Sequence, residues 1–199
     1  MPRISRQERQ RVRARLLDSA ARHFAEHGFS GANINRISLD AGCAKGTIYN
    51  YFPSKEALFG EILGGGSGET VRRYRAQAPE GGIREQLRVV VREDVALTRK
   101  SEPFVKVIIR EILSGNPATR AAIEAGLRPL MVLVTELLGA AQQRGEVRAD
   151  VPLPRLVTLF AMQMTMHYAE HWRSDGGWPS WDEVPPAVVD AFLDGMKAR

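Results

Sequence analysis

Apolar residues recur at helical spacing along nearly the whole chain, and alternation of the strand kind is almost absent. Over residues 7–27, Val12, Leu16, Leu17, Ala20 and Phe24 share one face of a 3.6-residue period, and Gly28 follows where a helix-ending glycine belongs. Asn33 is a good N-cap for a short second helix that carries Ile34, Ile37 and Ala41 inward and ends at Gly42. A third short helix is predicted over 44–51, stopped by Pro53, and Ser54 caps a fourth. Gly64, Gly65, Gly66 and Gly68 are expected to break or loosen that fourth helix, which resumes over 72–78. Further helices are predicted over 83–100, 103–113, 117–144, 154–172 and 187–196, with Pro103 and Pro117 in first turns. The chain therefore reads as all-α, with about nine helices and no internal repeat.

Charge divides the chain. Its net +5 lies wholly in residues 1–60, which hold ten Lys/Arg against five Asp/Glu, while residues 61–199 are neutral. A local basic excess suits a polyanionic partner, and it equally suits a solvated basic surface. Cys43 is the only cysteine, so neither a disulfide framework nor a Cys-rich zinc site is expected. No apolar run approaches the 18 or so residues of a membrane span. The opening Met1-Pro2-Arg3-Ile4-Ser5-Arg6 lacks the apolar stretch of a secretion signal, so a cytoplasmic protein is expected.

The informative stretch is 33–59. Two short helices joined by a tight glycine turn make a helix-turn-helix, with Gly42 supplying the left-handed backbone. The second helix of such a unit lies in the DNA major groove. Lys45 offers a charge, Gly46 a close backbone approach, and Thr47, Tyr49 and Asn50 hydrogen-bonding groups, while Ile48 and Phe52 point inward. Lys55 stands at the next helix start. Tyr49 and Tyr51 also read as core aromatics, and Lys55 as a solvated lysine. Cys43 reads as a small buried thiol or as a redox sensor; the chain has no second cysteine to resolve an oxidised one.

The run Gly42-Cys43-Ala44-Lys45-Gly46-Thr47-Ile48-Tyr49-Asn50-Tyr51-Phe52-Pro53-Ser54-Lys55-Glu56-Ala57-Leu58-Phe59 resembles the signature of the TetR family of bacterial transcriptional regulators. Ala21-Arg22-His23-Phe24-Ala25-Glu26-His27-Gly28-Phe29 is similar to the family's first helix and its exit. The likeness covers roughly residues 10–60, with a weaker one at Phe192-Leu193-Asp194-Gly195-Met196. It implies a homodimer with a DNA-binding head at residues 1–60 and a ligand-binding and dimerisation body at 61–199. It also implies that Lys45, Thr47, Tyr49 and Asn50 face base edges or nearby phosphates, that Tyr51 and Lys55 hold the DNA backbone, and that Asn35 and Arg36 touch phosphate. Ala44 departs from the family's usual capping residue, and Asn50-Tyr51 from its common aromatic pairs.

The body says less. Candidate lining residues of a sensor cavity are Phe104, Ile108, Met131, Met162, Met166, His167, Tyr168 and Trp172, each of which also reads as ordinary core. His167 and His171 stand at i and i+4, but no third ligand is visible, so no metal and no cofactor are expected. Trp172, Trp178 and Trp181 read as covering a pocket mouth or an interface, or as pinning their loop. Leu156, Leu159, Phe160, Val188, Val189, Phe192 and Met196 form the dimer seam by family analogy, against burial within one chain. The glycine cluster reads as a hinge between head and body and equally as a tolerated kink with no regulatory role. The combined reading is a non-catalytic dimeric repressor, released from a palindromic operator by a small-molecule effector. The alternatives are control by a protein partner, or activation in place of repression. No nucleophile–base pair, phosphate loop or carboxylate dyad points to an enzyme.

Overall fold

A computed structural model of the chain describes residues 5–175 and 177–195. Among these residues there are eight α-helices, one short 3-10 helix and no strand. Helix α1 (Arg6–Gly31) is capped by Ser5, whose hydroxyl accepts from the Glu8 amide. It bends at Gly28, where φ is +69°, so the regular helix ends where its glycine predicts. Asn33 caps α2 (Ile34–Asp40) by accepting from the Asn35 and Arg36 amides. Gly42, at φ +70°, turns the chain out of α2.

The third helix is shorter than the spacing predicts. Gly46 adopts φ +78°, so only the 3-10 helix Thr47–Asn50 forms before Pro53. Helix α3 (Lys55–Ala76) begins at Ser54, whose hydroxyl accepts from the Ala57 amide. It runs unbroken through Gly64, Gly65, Gly66 and Gly68, which overturns the expected interruption. A glycine costs a helix about 1 kcal/mol relative to alanine. Close packing repays part of that at Gly60 and Gly64, which meet the backbone of α6 (Pro117–Gln143) at Ala122 and Gly126. A Cβ on Gly60 would lie 2.7 Å from the Ala122 carbonyl oxygen.

Between them lie α4 (Ile83–Lys100) and α5 (Glu102–Ser114), with Pro103 in the first turn of α5 and Gly115 ending it at φ +63°. Helix α7 spans Leu153–Arg173. Helix α8 (Val184–Gly195) starts three residues before its predicted position, because Pro185 and Pro186 sit in its first turn. The predicted end at Met196 lies outside the described residues.

The chain divides into two compact units. One holds the residues up to Gly65 with Ser101–Gly126; the other holds Gly66–Lys100 and the chain from Leu127. The division falls after Gly65, and Ser101–Gly126 groups with the first unit. That unit is built on Phe24, Phe29, Phe59 and Phe104, with ring centroids 5.2–6.3 Å apart. In the second unit α8 packs on α4 and α7. There Phe160 meets Phe192 edge-on at 5.2 Å, and Arg84 and Arg88 pair with Asp190.

Candidate nucleic-acid interface

The candidate interface is raised on a small locked core. Ile48 and Phe52 are buried, as the apolar spacing requires. Two polar links that the sequence reading missed tie α1 to α2. The buried Ser19 hydroxyl donates to the Ile37 carbonyl at 3.1 Å, and His23 Nε2 lies 2.6 Å from Asp40 Oδ2. A signal for them existed: Ser19 and His23 fall on the apolar stripe of α1, beside Leu16 and Ala20. A polar group on a buried face needs a fixed partner.

What this core presents outward is polar and basic. Lys45, Asn50, Asn35 and Arg36 are exposed, Thr47 is half-buried, and Tyr49 is 57% exposed. Tyr49 is therefore not a core aromatic. Among the described residues neither Lys45 nor Arg36 enters an ion pair, so both charges face solvent. Ala44 is exposed and supplies no side-chain cap; the 3-10 helix starts from Gly46 without one. Cys43 is half-buried with its thiol directed at the Ala41 carbonyl.

Two expected backbone-holding residues are committed within the chain. The Lys55 ammonium donates to the Ser30 carbonyl at 3.0 Å and sits 5.0 Å from the Phe29 ring. Its partial burial pushes its pKa down, against a smaller upward pull from Glu56. Tyr51 is half-buried under the Arg9 guanidinium, 5.7 Å from its ring. Of the other N-terminal arginines, Arg11 pairs with Glu8, Arg13 with Glu61 and Arg22 with Asp18. These three guanidinium groups are thus committed to carboxylates within the chain.

The body residues sort differently from expectation. Phe104 and Ile108 are buried in the first unit, Phe104 within its phenylalanine cluster. Met131 and Trp172 are half-buried and Tyr168 is buried, all in the second unit. Met162 and Met166 stand on the surface of α7, 60% and 48% exposed. His167 Nδ1 bonds to the Gln163 carbonyl at 2.8 Å, and His171 Nδ1 to the Pro179 carbonyl at 2.7 Å. No group of three metal-ligating side chains occurs among the described residues. Trp181 lies against His171, at 3.9 Å between centroids, and so pins its loop, whereas Trp178 is exposed.

The seam residues need a correction. Leu156, Phe160, Val188, Val189 and Phe192 are buried inside the chain, which leaves them no area for a partner. Leu159 alone of the described set is exposed, and Met196 lies outside the described residues. Leu159, Met162 and Met166 stand at i, i+3 and i+7, on one face of α7.

Two family models match the chain. The one for bacterial regulatory proteins of the tetR family covers residues 16–62, and the one for tetracyclin repressor-like C-terminal domains covers 80–196. The transcriptional repressor AcnR of Corynebacterium diphtheriae is 31% identical over 162 residues, 79% of this chain and 80% of its own. The repressor KstR2 of Rhodococcus jostii is 28% identical over 189 residues, 92% of this chain and 90% of its own. Among solved structures, Bacillus subtilis FadR in complex with stearoyl-CoA superposes with a TM-score of 0.80 at 19% identity, over 92% of this chain and 99% of its own. Thermus thermophilus FadR in complex with lauroyl-CoA gives 0.70 at 27% identity, over 94% and 96%.

Proposed function

The chain belongs to the tetR family of bacterial regulatory proteins and is a DNA-binding transcriptional regulator; on that premise we propose that it is a dimeric repressor, acting at a palindromic operator in the cytoplasm and released by a small-molecule effector. One observation carries the DNA-binding reading. The turn with Lys45, Thr47, Tyr49 and Asn50 presents its polar groups outward on a base of buried Ile48 and Phe52. In this proposal those four side chains meet base edges or adjacent phosphates, and Gly46 brings its backbone close to the DNA. Asn35 and Arg36 meet phosphate. Tyr51, with Arg9 over its ring, and Lys55, on Ser30, position the turn. The head comprises residues 1–60 and the body 61–199, with Ser101–Gly126 as the part of the body that clusters with the head.

The dimer seam is the exposed face of Leu159, Met162 and Met166. Gly65 and Gly66, whose added Cβ atoms would meet nothing, form the hinge in α3. The acyl-CoA complexes of the two FadR proteins support an effector held by the body. A repressor of this kind works by population shift. The effector binds better to a conformation whose heads do not fit two successive major grooves, and so draws the protein off the operator.

The test is selection from a random duplex pool, followed by anisotropy titration and sedimentation of the free protein. The expected result is an enriched palindrome bound by one dimer. Enrichment of no common sequence, or a monomer that binds a single half-site at full affinity, would overturn the reading.

A further inference from the structure

In the second unit a carboxyl group stands without a cation. Asp94, on α4, accepts from the Tyr168 hydroxyl at 2.6 Å and from the Thr70 hydroxyl at 3.2 Å. Among the described residues no Lys, Arg or His pairs with this carboxyl. Protein encloses it, and that desolvation pushes its pKa up, with the two hydroxyl donors pulling part of the way back. Yet Asp94 keeps accessible surface, as does Leu97 one turn further along α4.

The ring beside it, that of Tyr168, belongs to an aromatic cluster. Tyr168 turns its hydroxyl to Asp94 and its ring to Trp181, at 6.0 Å, and to Trp172, at 6.2 Å. Trp172 and Trp181 lie 6.2 Å from each other, and both keep accessible area. An ionised carboxyl is costly in such a place unless a cation joins it. A carboxylate flanked by aromatic rings is a pairing that attracts organic cations, through charge and through the ring faces. A carboxylate or phosphate brought to the same spot is repelled.

We propose that the second unit is a receptor for a hydrophobic organic cation, a protonated amine or quaternary ammonium, with Asp94 taking its charge and Tyr168, Trp172 and Trp181 its apolar body. This rests on the effector reading above and narrows it to a chemical class. The fold relatives solved with acyl-CoA carry an anionic ligand, so the two classes are open to direct comparison.

The experiment is thermal unfolding of the full chain with 2-phenylethylammonium or benzyltrimethylammonium, against 2-phenylethanol, 3-phenylpropionate and lauroyl-CoA. The ammonium probes are expected to raise Tm by a few degrees at millimolar concentration, with the alcohol and the anions well behind. Asp94→Asn keeps the shape and an acceptor for Tyr168. It is expected to abolish the ammonium shift while raising the Tm of the free protein at neutral pH, because it removes an unpaired enclosed charge. A strut with no ligand role would lose stability in that variant.

Equal shifts by amine and alcohol, an ammonium shift retained in Asp94→Asn, or a shift with lauroyl-CoA alone would each overturn the proposal. The wild-type comparison of amine with alcohol decides even where the variant does not fold. Operator binding, measured in parallel, separates the two levels. A protein that binds its operator and ignores ammonium probes keeps the regulator and loses this inference. Asp94-dependent ammonium binding in a protein that selects no operator does the reverse.

Discussion

Tyr49 and Lys55 lie close together in the chain and do different work. Tyr49 is 57% exposed, so Tyr49→Ala should change unfolding little. Its effect should fall on recognition. Anisotropy titrations across single-base operator variants should show discrimination altered by about 1–3 kcal/mol at one position, and Lys45→Ala should behave alike at a neighbouring one. Lys55 already spends its ammonium on the Ser30 carbonyl. Lys55→Ala should therefore cost about 1 kcal/mol in urea unfolding and weaken all operators alike. The slope of log affinity against log salt should stay unchanged; a slope flattened by about one would restore Lys55 as a phosphate contact. The charge and the hydrogen-bonding types were legible from residues 42–59. Which lysine looks outward was not, because that depends on where the Ser30 carbonyl comes to rest, 25 residues away in the chain.

Helix α3 carries glycines of two kinds. A methyl group at Gly60 would meet the Ala122 carbonyl at 2.7 Å, and one at Gly126 the Gly60 carbonyl at 2.7 Å. Gly60→Ala or Gly126→Ala should destabilise the protein by about 1–3 kcal/mol. Gly65 and Gly66 face open space, so the double alanine variant should stabilise the helix by up to about 1 kcal/mol at each site. That makes it a clean test of the hinge. If operator affinity and the effector response are unchanged in a stabilised Gly65→Ala/Gly66→Ala protein, α3 has no hinge there. Helix α4 depends on a remote cap. Glu146 accepts from the Ile83 amide at 2.6 Å, and its pairing with Arg144, aided by that amide, holds its carboxyl below the usual range. A lowered folded-state pKa gives stability above the unfolded carboxylate pKa, near 4.5, that is lost as pH falls through the folded value. Acid unfolding of Glu146→Gln should be flatter in that window, and Glu146→Ala should cost about 1 kcal/mol at pH 7. Helix starts at Asn33 and Ser54 could be read locally, since a cap acts within three residues. The survival of α3 across four glycines, and a cap supplied to Ile83 from Glu146, could not.

For the assembled protein, the proposed seam on α7 is the surface to test. Leu159→Glu with Met162→Glu should convert the dimer to a monomer in sedimentation, with little change in the unfolding of the chain, because neither side chain is buried in it. Such a monomer should bind a palindrome weakly, since each head would pay its own cost of association. A dimer that persists in this variant would place the seam elsewhere. The charge division between residues 1–60 and the rest also acts at this level. It makes residues 1–60 the part suited to a polyanion, with Glu61, just beyond them, paired to Arg13.

Helical period, caps, glycine turns and the family signature were written in the sequence, because each acts over a few neighbouring residues and needs no knowledge of distant ones. On that basis the all-α class and the helix-turn-helix were in reach. Tertiary structure decided matters that depend on competition for burial. Phe104 went to the phenylalanine cluster of the first unit, and Val188, Val189 and Phe192 were consumed inside one chain. Leu159, Met162 and Met166 were left bare on α7. An apolar residue records only that it prefers to leave water. Which neighbour covers it, or whether any does, is fixed by how the helices pack, and the same packing set Asp94 beside Tyr168, which lies 74 residues away in the chain.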